Sequence, residues 1–194
     1  MPRLSDELRG PLTRRYQTAL AAVVDKATPT LHRIWDGLPA YDEANIETLA
    51  VATAAPLQTV KIASVRHSLG YYTALAGVSP PIVKPDEIAA VADMRDPFIS
   101  VWLALKSGNS YEAALLGGRS RVEAVVANLV NSSARQTGDL FVAKTNLNPR
   151  GWERLPNRGA CPWCLEVAGQ TYQSADSADF GHDRCSCTAA PLFD

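Results

Sequence analysis

Every cysteine in this chain falls at or beyond residue 161. Cys161-Pro162-Trp163-Cys164 comes first, and after residues 165–181 follows His182-Asp183-Arg184-Cys185-Ser186-Cys187. A Cys-x-x-Cys pair and a His-x-x-Cys-x-Cys cluster offer the soft and borderline donors that suit zinc, which takes four of them in a tetrahedron. Two residues between Cys161 and Cys164 let both sulfurs enter one turn. An extended Cys185-Ser186-Cys187 puts both thiols on one strand face, because side chains alternate with a period of two. His182 lies one turn earlier and comes in from the loop. The stretch between the halves has the length found in many zinc sites. Four of the five candidates, Cys161, Cys164, His182, Cys185 and Cys187, would hold a structural zinc ion. The fifth would be spare or would orient a ligand.

The same residues admit other chemistry. A disulfide from Cys161 or Cys164 to Cys185 or Cys187 would staple the same segment. Met1 to Arg15 is charged and lacks the apolar stretch of a secretory signal, so a reducing compartment is expected, which disfavours disulfides. A redox Cys-x-x-Cys wants a strand before it in a βαβ setting, whereas Trp152 to Ala160 is short and rich in turn residues. A zinc deaminase wants His-x-Glu and Pro-Cys-x-x-Cys. Ala160 precedes Cys161, and neither His32-Arg33-Ile34 nor His67-Ser68-Leu69 fits.

The elements that position these residues are mostly helical. At 46% hydrophobic and 20% charged residues the chain reads as globular, and a net charge of -1 argues against general nucleic-acid binding, which needs a basic excess. No apolar run approaches a membrane span. Ser5, Asp6 and Glu7 start a helix through Ala27 with Leu8, Leu12, Tyr16, Leu20 and Val23 on one face. Pro29 opens a shorter piece, Thr30 to Trp35. Asp42 caps a long helix to Gly77, kinked or divided at Pro56, with Ile62, Val65, Leu69, Tyr72 and Ala76 on one face and His67 off it. Gly77 to Pro85 is a rigid connector. Asp86–Asp93, Pro97–Lys106 and Ser110–Leu116 read as short helices, the last two stopped by Gly108 and by Gly117-Gly118.

The most periodic helix runs from Ser120 to Lys144 on Val122, Val125, Val126, Leu129, Ser133, Gln136 and Leu140. Its second half turns polar, which predicts exposure there, or a face for another chain. Asn146 to Gly151 breaks the pattern. Trp152 to Pro156 alternates as an edge strand does, Cys161 to Gly169 suits a short helix with Leu165 and Val167 inward, and Thr171-Tyr172-Gln173 is a second strand. Cys185 to Phe193 is a third strand, alternating between its faces. So small a core needs a metal or a disulfide.

The run Trp152-x-Arg154-x-Pro156, then Cys161-x-Trp163-Cys164-Leu165-x-x-Ala168-Gly169-x-x-Tyr172, then His182-x-x-Cys185-x-Cys187-x-x-x-Pro191 resembles the C-terminal region of MuF-like minor head proteins of tailed bacteriophages. It looks most like the versions in phages of actinobacteria. The resemblance covers about the last quarter of the chain. It implies a virion component of few copies, at the portal vertex or the inner face of the capsid, that takes part in head morphogenesis. Related chains are sometimes fused to a protease or a toxin, but no Ser/His/Asp or Cys/His arrangement of that kind is recognisable here.

The expected fold is mainly α, with a helical domain over 1–145 and a small α+β, MuF-like Cys/His domain over 146–194. The expected function is structural and non-enzymatic: a minor capsid or head-morphogenesis protein contacting portal protein, major capsid protein or both. Its expected place is the head interior or portal vertex, and the host cytoplasm during assembly, without a membrane. The rivals are a zinc-dependent enzyme or thiol oxidoreductase, and a zinc module against packaged DNA, for which Arg150, Arg154 and Arg158 lie close together.

Overall fold

Two long stretches that prolines interrupt in the sequence fold as unbroken helices. The computed structural model describes residues 6–37, 44–88, 94–157, 160–174, 178 and 187–193. Helix α1 spans Asp6–Asp36 and runs through Pro29, and α2 spans Ala44–Ala76 and runs through Pro56. An interior proline costs about 3 kcal/mol through a lost donor and a crowded carbonyl. Burying one large apolar side chain returns roughly 2 kcal/mol. Leu20 and Val23 before Pro29 and Leu31 and Trp35 beyond it are buried, and around Pro56 so are Leu49 and Val60. Burial on both sides of each proline therefore wins. The predicted caps Ser5 and Asp42 lie outside the described residues.

Continuous α2 is also long and apolar enough, over Asn45–Ala76, to cross a membrane by length and composition. The sequence shows no such run because alanine, threonine and serine dilute it. In the fold this helix packs against α1 and α4. Its buried face is Val60, Ser64, Val65, Ser68, Tyr71, Tyr72 and Leu75, whereas the expected Ile62, Leu69 and Ala76 are only half-buried. The serines turn inward because each finds a partner. Ser64 donates to the Val130 carbonyl at 2.7 Å, and Ser68 shares a 2.8 Å hydrogen bond with the Tyr16 hydroxyl. Tyr16 stacks on Tyr71 with centroids 4.2 Å apart, and the Tyr71 hydroxyl meets Thr13 at 3.1 Å. Desolvation pushes the Tyr71 phenol up to about 12, and burial likewise raises Tyr72 well above the ordinary tyrosine value.

The connector after α2 ends in a single 3-10 turn, Pro85–Glu87, in place of the expected helix, whose remainder (89–93) lies outside the described residues. Lys144 ties this turn down, donating to the Ile82 carbonyl at 2.8 Å and to Glu87 at 2.6 Å. Those contacts hold the Glu87 carboxyl below its usual range. Helix α3 is Arg95–Lys106. Helix α4, Tyr111–Thr145, joins the two helices expected on either side of Gly117-Gly118. Gly118 is a contact point, not a stop. A Cβ there would lie 2.4 Å from Trp35 Cζ2 and 2.4 Å from Val101 Cγ2, so only glycine lets α4 reach α1 and α3. Ser110 caps α4, accepting from the Ala113 amide at 3.2 Å, and Asn146 ends it in the left-handed conformation (φ 51°).

The polar second half of α4 is partly buried, where exposure was expected, with Asn131, Arg135 and Gln136 half-buried. Ser132, Ser133 and Thr137 face the interior. Thr137 donates to the Ser133 carbonyl at 2.6 Å and Ser132 to that of Leu129 at 3.2 Å. Ser132 and Thr137, satisfied by their own helix, let its neighbours approach closely, whereas the buried Ser133 hydroxyl has no hydrogen-bond partner among the described residues. Gly138 sits in the same stretch, and a Cβ on it would come within 2.9 Å of the Tyr72 ring.

After α4 come β1 (Gly151–Leu155), the short helix α5 (Pro162–Glu166), β2 (Thr171–Tyr172) and β3 (Thr188–Leu192). Among the described residues the fold is mainly α, with this one antiparallel sheet in the order β2-β1-β3. Strand β1 is thus central, where an edge was expected. Trp152 faces both Tyr172 and Pro191 across the ladder. Proline donates nothing, and it sits where it is tolerated, on edge strand β3. Every residue of β3 is buried, so the expected in-and-out alternation is absent. The sheet docks on the helices. Gln17 donates to the Leu155 carbonyl at 3.0 Å, Arg9 pairs with Glu153, and the Tyr72 hydroxyl donates to the Ala189 carbonyl at 3.3 Å. Trp152, Ala189 and Ala190 belong to the same core as Leu20, Trp35 and Phe141, so apolar packing runs on across residue 146.

Candidate functional site on the C-terminal sheet

Alternation along β1 puts Trp152 and Arg154 on one face, and that face is covered. Arg154 is 1% exposed. A buried guanidinium is costly unless its donors are used. One terminal nitrogen donates to the Ala178 carbonyl at 3.1 Å, and the other approaches Cys164 Sγ at 3.5 Å. The Trp163 ring lies 5.4 Å from its central carbon, within cation–π range.

Cys161 and Cys164 are set by the start of α5. Cys161 is the N-cap and Pro162 the first helical residue, a position that needs no amide donor. The Cys161 sulfur accepts the Cys164 amide at 3.4 Å. This single turn carries Cys164 inward, fully buried, and turns Leu165 out to 58% exposure, so the inward residue is Cys164 and not the expected Leu165. Cys164 packs against buried Cys187, with Cys161 and Ala160 half-buried beside them. These three cysteines form no disulfide with one another.

Three of the five expected ligands, Cys161, Cys164 and Cys187, therefore share one small cluster, while His182 and Cys185 lie outside the described residues. Among the described residues, no three Cys, His, Asp or Glu side chains stand together as a metal-binding group. The donors around the sulfurs do suit a metal-bound thiolate. An amide meets the Cys161 sulfur and a guanidinium the Cys164 sulfur, contacts of the kind that orient the ligands of a bound metal.

Arg150, Arg154 and Arg158 lie close together in the sequence, but the charge of Arg154 is interior, Arg150 is exposed, and Arg158 lies outside the described residues. The signal was there in the alternation, since a residue two places from a buried tryptophan on a strand shares its face. His67 is exposed as expected. It lies at a groove of about 620 Å³ between α1 and α2, lined by Ala22, Val23, Ala27, Pro56 and Val60.

A family model described as VG15 protein matches residues 11–194, taking in the helices and the cysteine-bearing sheet alike. The chain belongs to the VG15 family, a family of viral, phage proteins. Neither the curated proteins nor the solved structures contain a significant match. The VG15 match starts inside α1 and continues past β3, so it joins the helical part and the sheet in one family unit.

Proposed function

We propose that this VG15 protein is a structural, non-enzymatic component of the phage head: a minor capsid or head-morphogenesis protein that docks on portal protein, on the inner capsid wall, or on both. One observation carries this reading. The residues whose order resembles MuF-like minor head proteins bind one another inside the fold. Trp152 is flanked by Tyr172 and Pro191, Arg154 reaches Cys164, and Cys164 packs on Cys187. A motif used this way defines a rigid module, as a structural part requires. Membership of a viral family supports the same reading.

Helices α1 and α4, of 31 and 35 residues, extend about 46 and 52 Å at 1.5 Å per residue. They are stiff enough to bridge neighbouring capsid parts, with the sheet locked to one flank. Four of Cys161, Cys164, His182, Cys185 and Cys187 would hold a zinc ion that closes the module, with Arg154 donating to one sulfur from behind. Its role would be structural, since a closed four-ligand site leaves no open position for substrate. During assembly the chain would be in the host cytoplasm, and afterwards inside the head or at the portal vertex. Deleting the gene from the phage tests this: lysis on schedule with few or no infectious particles is expected. A normal yield of infectious particles would overturn it.

A further inference from the structure

Helix α3 has two apolar faces, and only one is used within the chain. At 100° per residue, Met94, Pro97, Phe98 and Val101 share the face that packs inward, and all are buried. The opposite face presents Ile99, Trp102 and Leu103, exposed by 41%, 41% and 51%. A tryptophan and two branched aliphatics at i, i+3 and i+4 on a surface helix form a contact stripe, not scattered exposure. Tyr111 and Leu116 expose more apolar surface on the first turns of α4, the helix packed against α3.

The charges at the ends of the stripe select its occupant. Asp96 lies at the N-terminal end and Lys106 at the C-terminal end, both exposed and on the same side as Ile99 and Leu103. Lys106 sits over the Trp102 ring, its nitrogen 3.6 Å from the centroid, which keeps the ammonium on this face. Arg95, also at the N-terminal end, is bound to Glu47 at 2.9 Å. The stripe is therefore acidic, apolar and basic in turn, a sequence that reads complementary to itself when reversed. We infer that α3 pairs with α3 of a second copy of this chain, antiparallel across a two-fold axis. Asp96 then faces Lys106 of the other copy at both ends, and the Ile99, Trp102 and Leu103 side chains meet at the centre. An isologous contact requires self-complementarity of this kind. Opposed helix dipoles favour the same arrangement. The inference does not depend on a role in the phage head.

Sedimentation velocity on the full chain over a concentration series tests it. The wild type forms dimers, and Trp102→Glu leaves monomers with unchanged far-UV circular dichroism. Should Trp102→Glu fail to fold, Trp102→Ser serves, and it weakens the dimer. Asp96→Lys and Lys106→Glu each raise the dimer Kd at least about tenfold by opposing like charges, and the two changes in one chain restore it. A monomer at every concentration overturns the pairing. So does a dimer indifferent to Trp102, a double exchange that fails to restore, or a monomer that uses this stripe only for a different protein.

Discussion

Replacing Gly118 with alanine sets two opposing terms against each other, and the geometry decides the winner. In an exposed helix interior the change gains about 1 kcal/mol, because alanine loses less conformational freedom than glycine. At Gly118 the new methyl would stand 2.4 Å from Trp35 Cζ2, 2.4 Å from Val101 Cγ2 and 2.9 Å from Trp35 Cη2. Carbon atoms rest at about 3.5–4.0 Å, so more than an ångström must be recovered. Both neighbours are fully buried, and an indole cannot bend away. Overpacking of this kind typically costs about 1–3 kcal/mol, more where the neighbour is rigid. The net expectation for Gly118→Ala is a loss of about 1–2 kcal/mol, or a melting temperature lower by roughly 2–8 °C for a chain of this length. Gly117 supplies the control. It is exposed, next in the same helix, and a Cβ there would meet nothing within 4 Å. Gly117→Ala should therefore stabilise by about 0.5–1 kcal/mol. Urea unfolding followed at 222 nm measures both. If the two variants shift in the same direction, the packing of α4 on Trp35 and Val101 is wrong.

Arg154→Ala should cost about 2–4 kcal/mol, because it strands the Ala178 carbonyl and the cysteine cluster, and Arg154→Lys should recover less than half, lacking the fork that spans both partners; thermal melting ranks the three. Stability should fall as pH rises from about 10 to 12, since the unfolded chain ionises its tyrosines near 10 while Tyr71 keeps its proton to about 12. The Tyr71 share is about 2–3 kcal/mol over that window, is fully present below pH 10, and is tested by whether Tyr71→Phe flattens the alkaline end of a stability–pH curve. Metal analysis should find one zinc per chain, and Cys161→Ser or Cys185→Ser should abolish it and open the C-terminal segment to protease while α1 to α4 stay resistant. His182→Ala should lose less metal than either change, and equal loss would make His182 an obligatory ligand.

What could be read ahead from the sequence was local. Helical periodicity through Val122, Val126 and Leu129, the break at Asn146 and the three strand segments are written in neighbouring residues. The helix boundaries at Pro29, Pro56 and Gly117-Gly118 depend on what arrives from elsewhere in the chain. Prolines are carried through because Leu31, Trp35 and Val60 find a core, and Gly118 continues the helix because Trp35 and Val101 occupy the space where a side chain would be. Buried Ser64, Ser68 and Ser133 look like surface residues until the partner helix is known. The candidate site divides in the same way. Spacing grouped the cysteines, but it had no means of showing that Arg154 donates to Cys164, since that contact joins a strand to a separate helix.

This VG15 protein is proposed to be built into the phage head. Quantitative mass spectrometry of purified virions, before and after DNA ejection, tests this most directly. A low, fixed number of copies per particle that stays with emptied heads is the predicted result. Absence from the particle, or departure with the DNA, would contradict it.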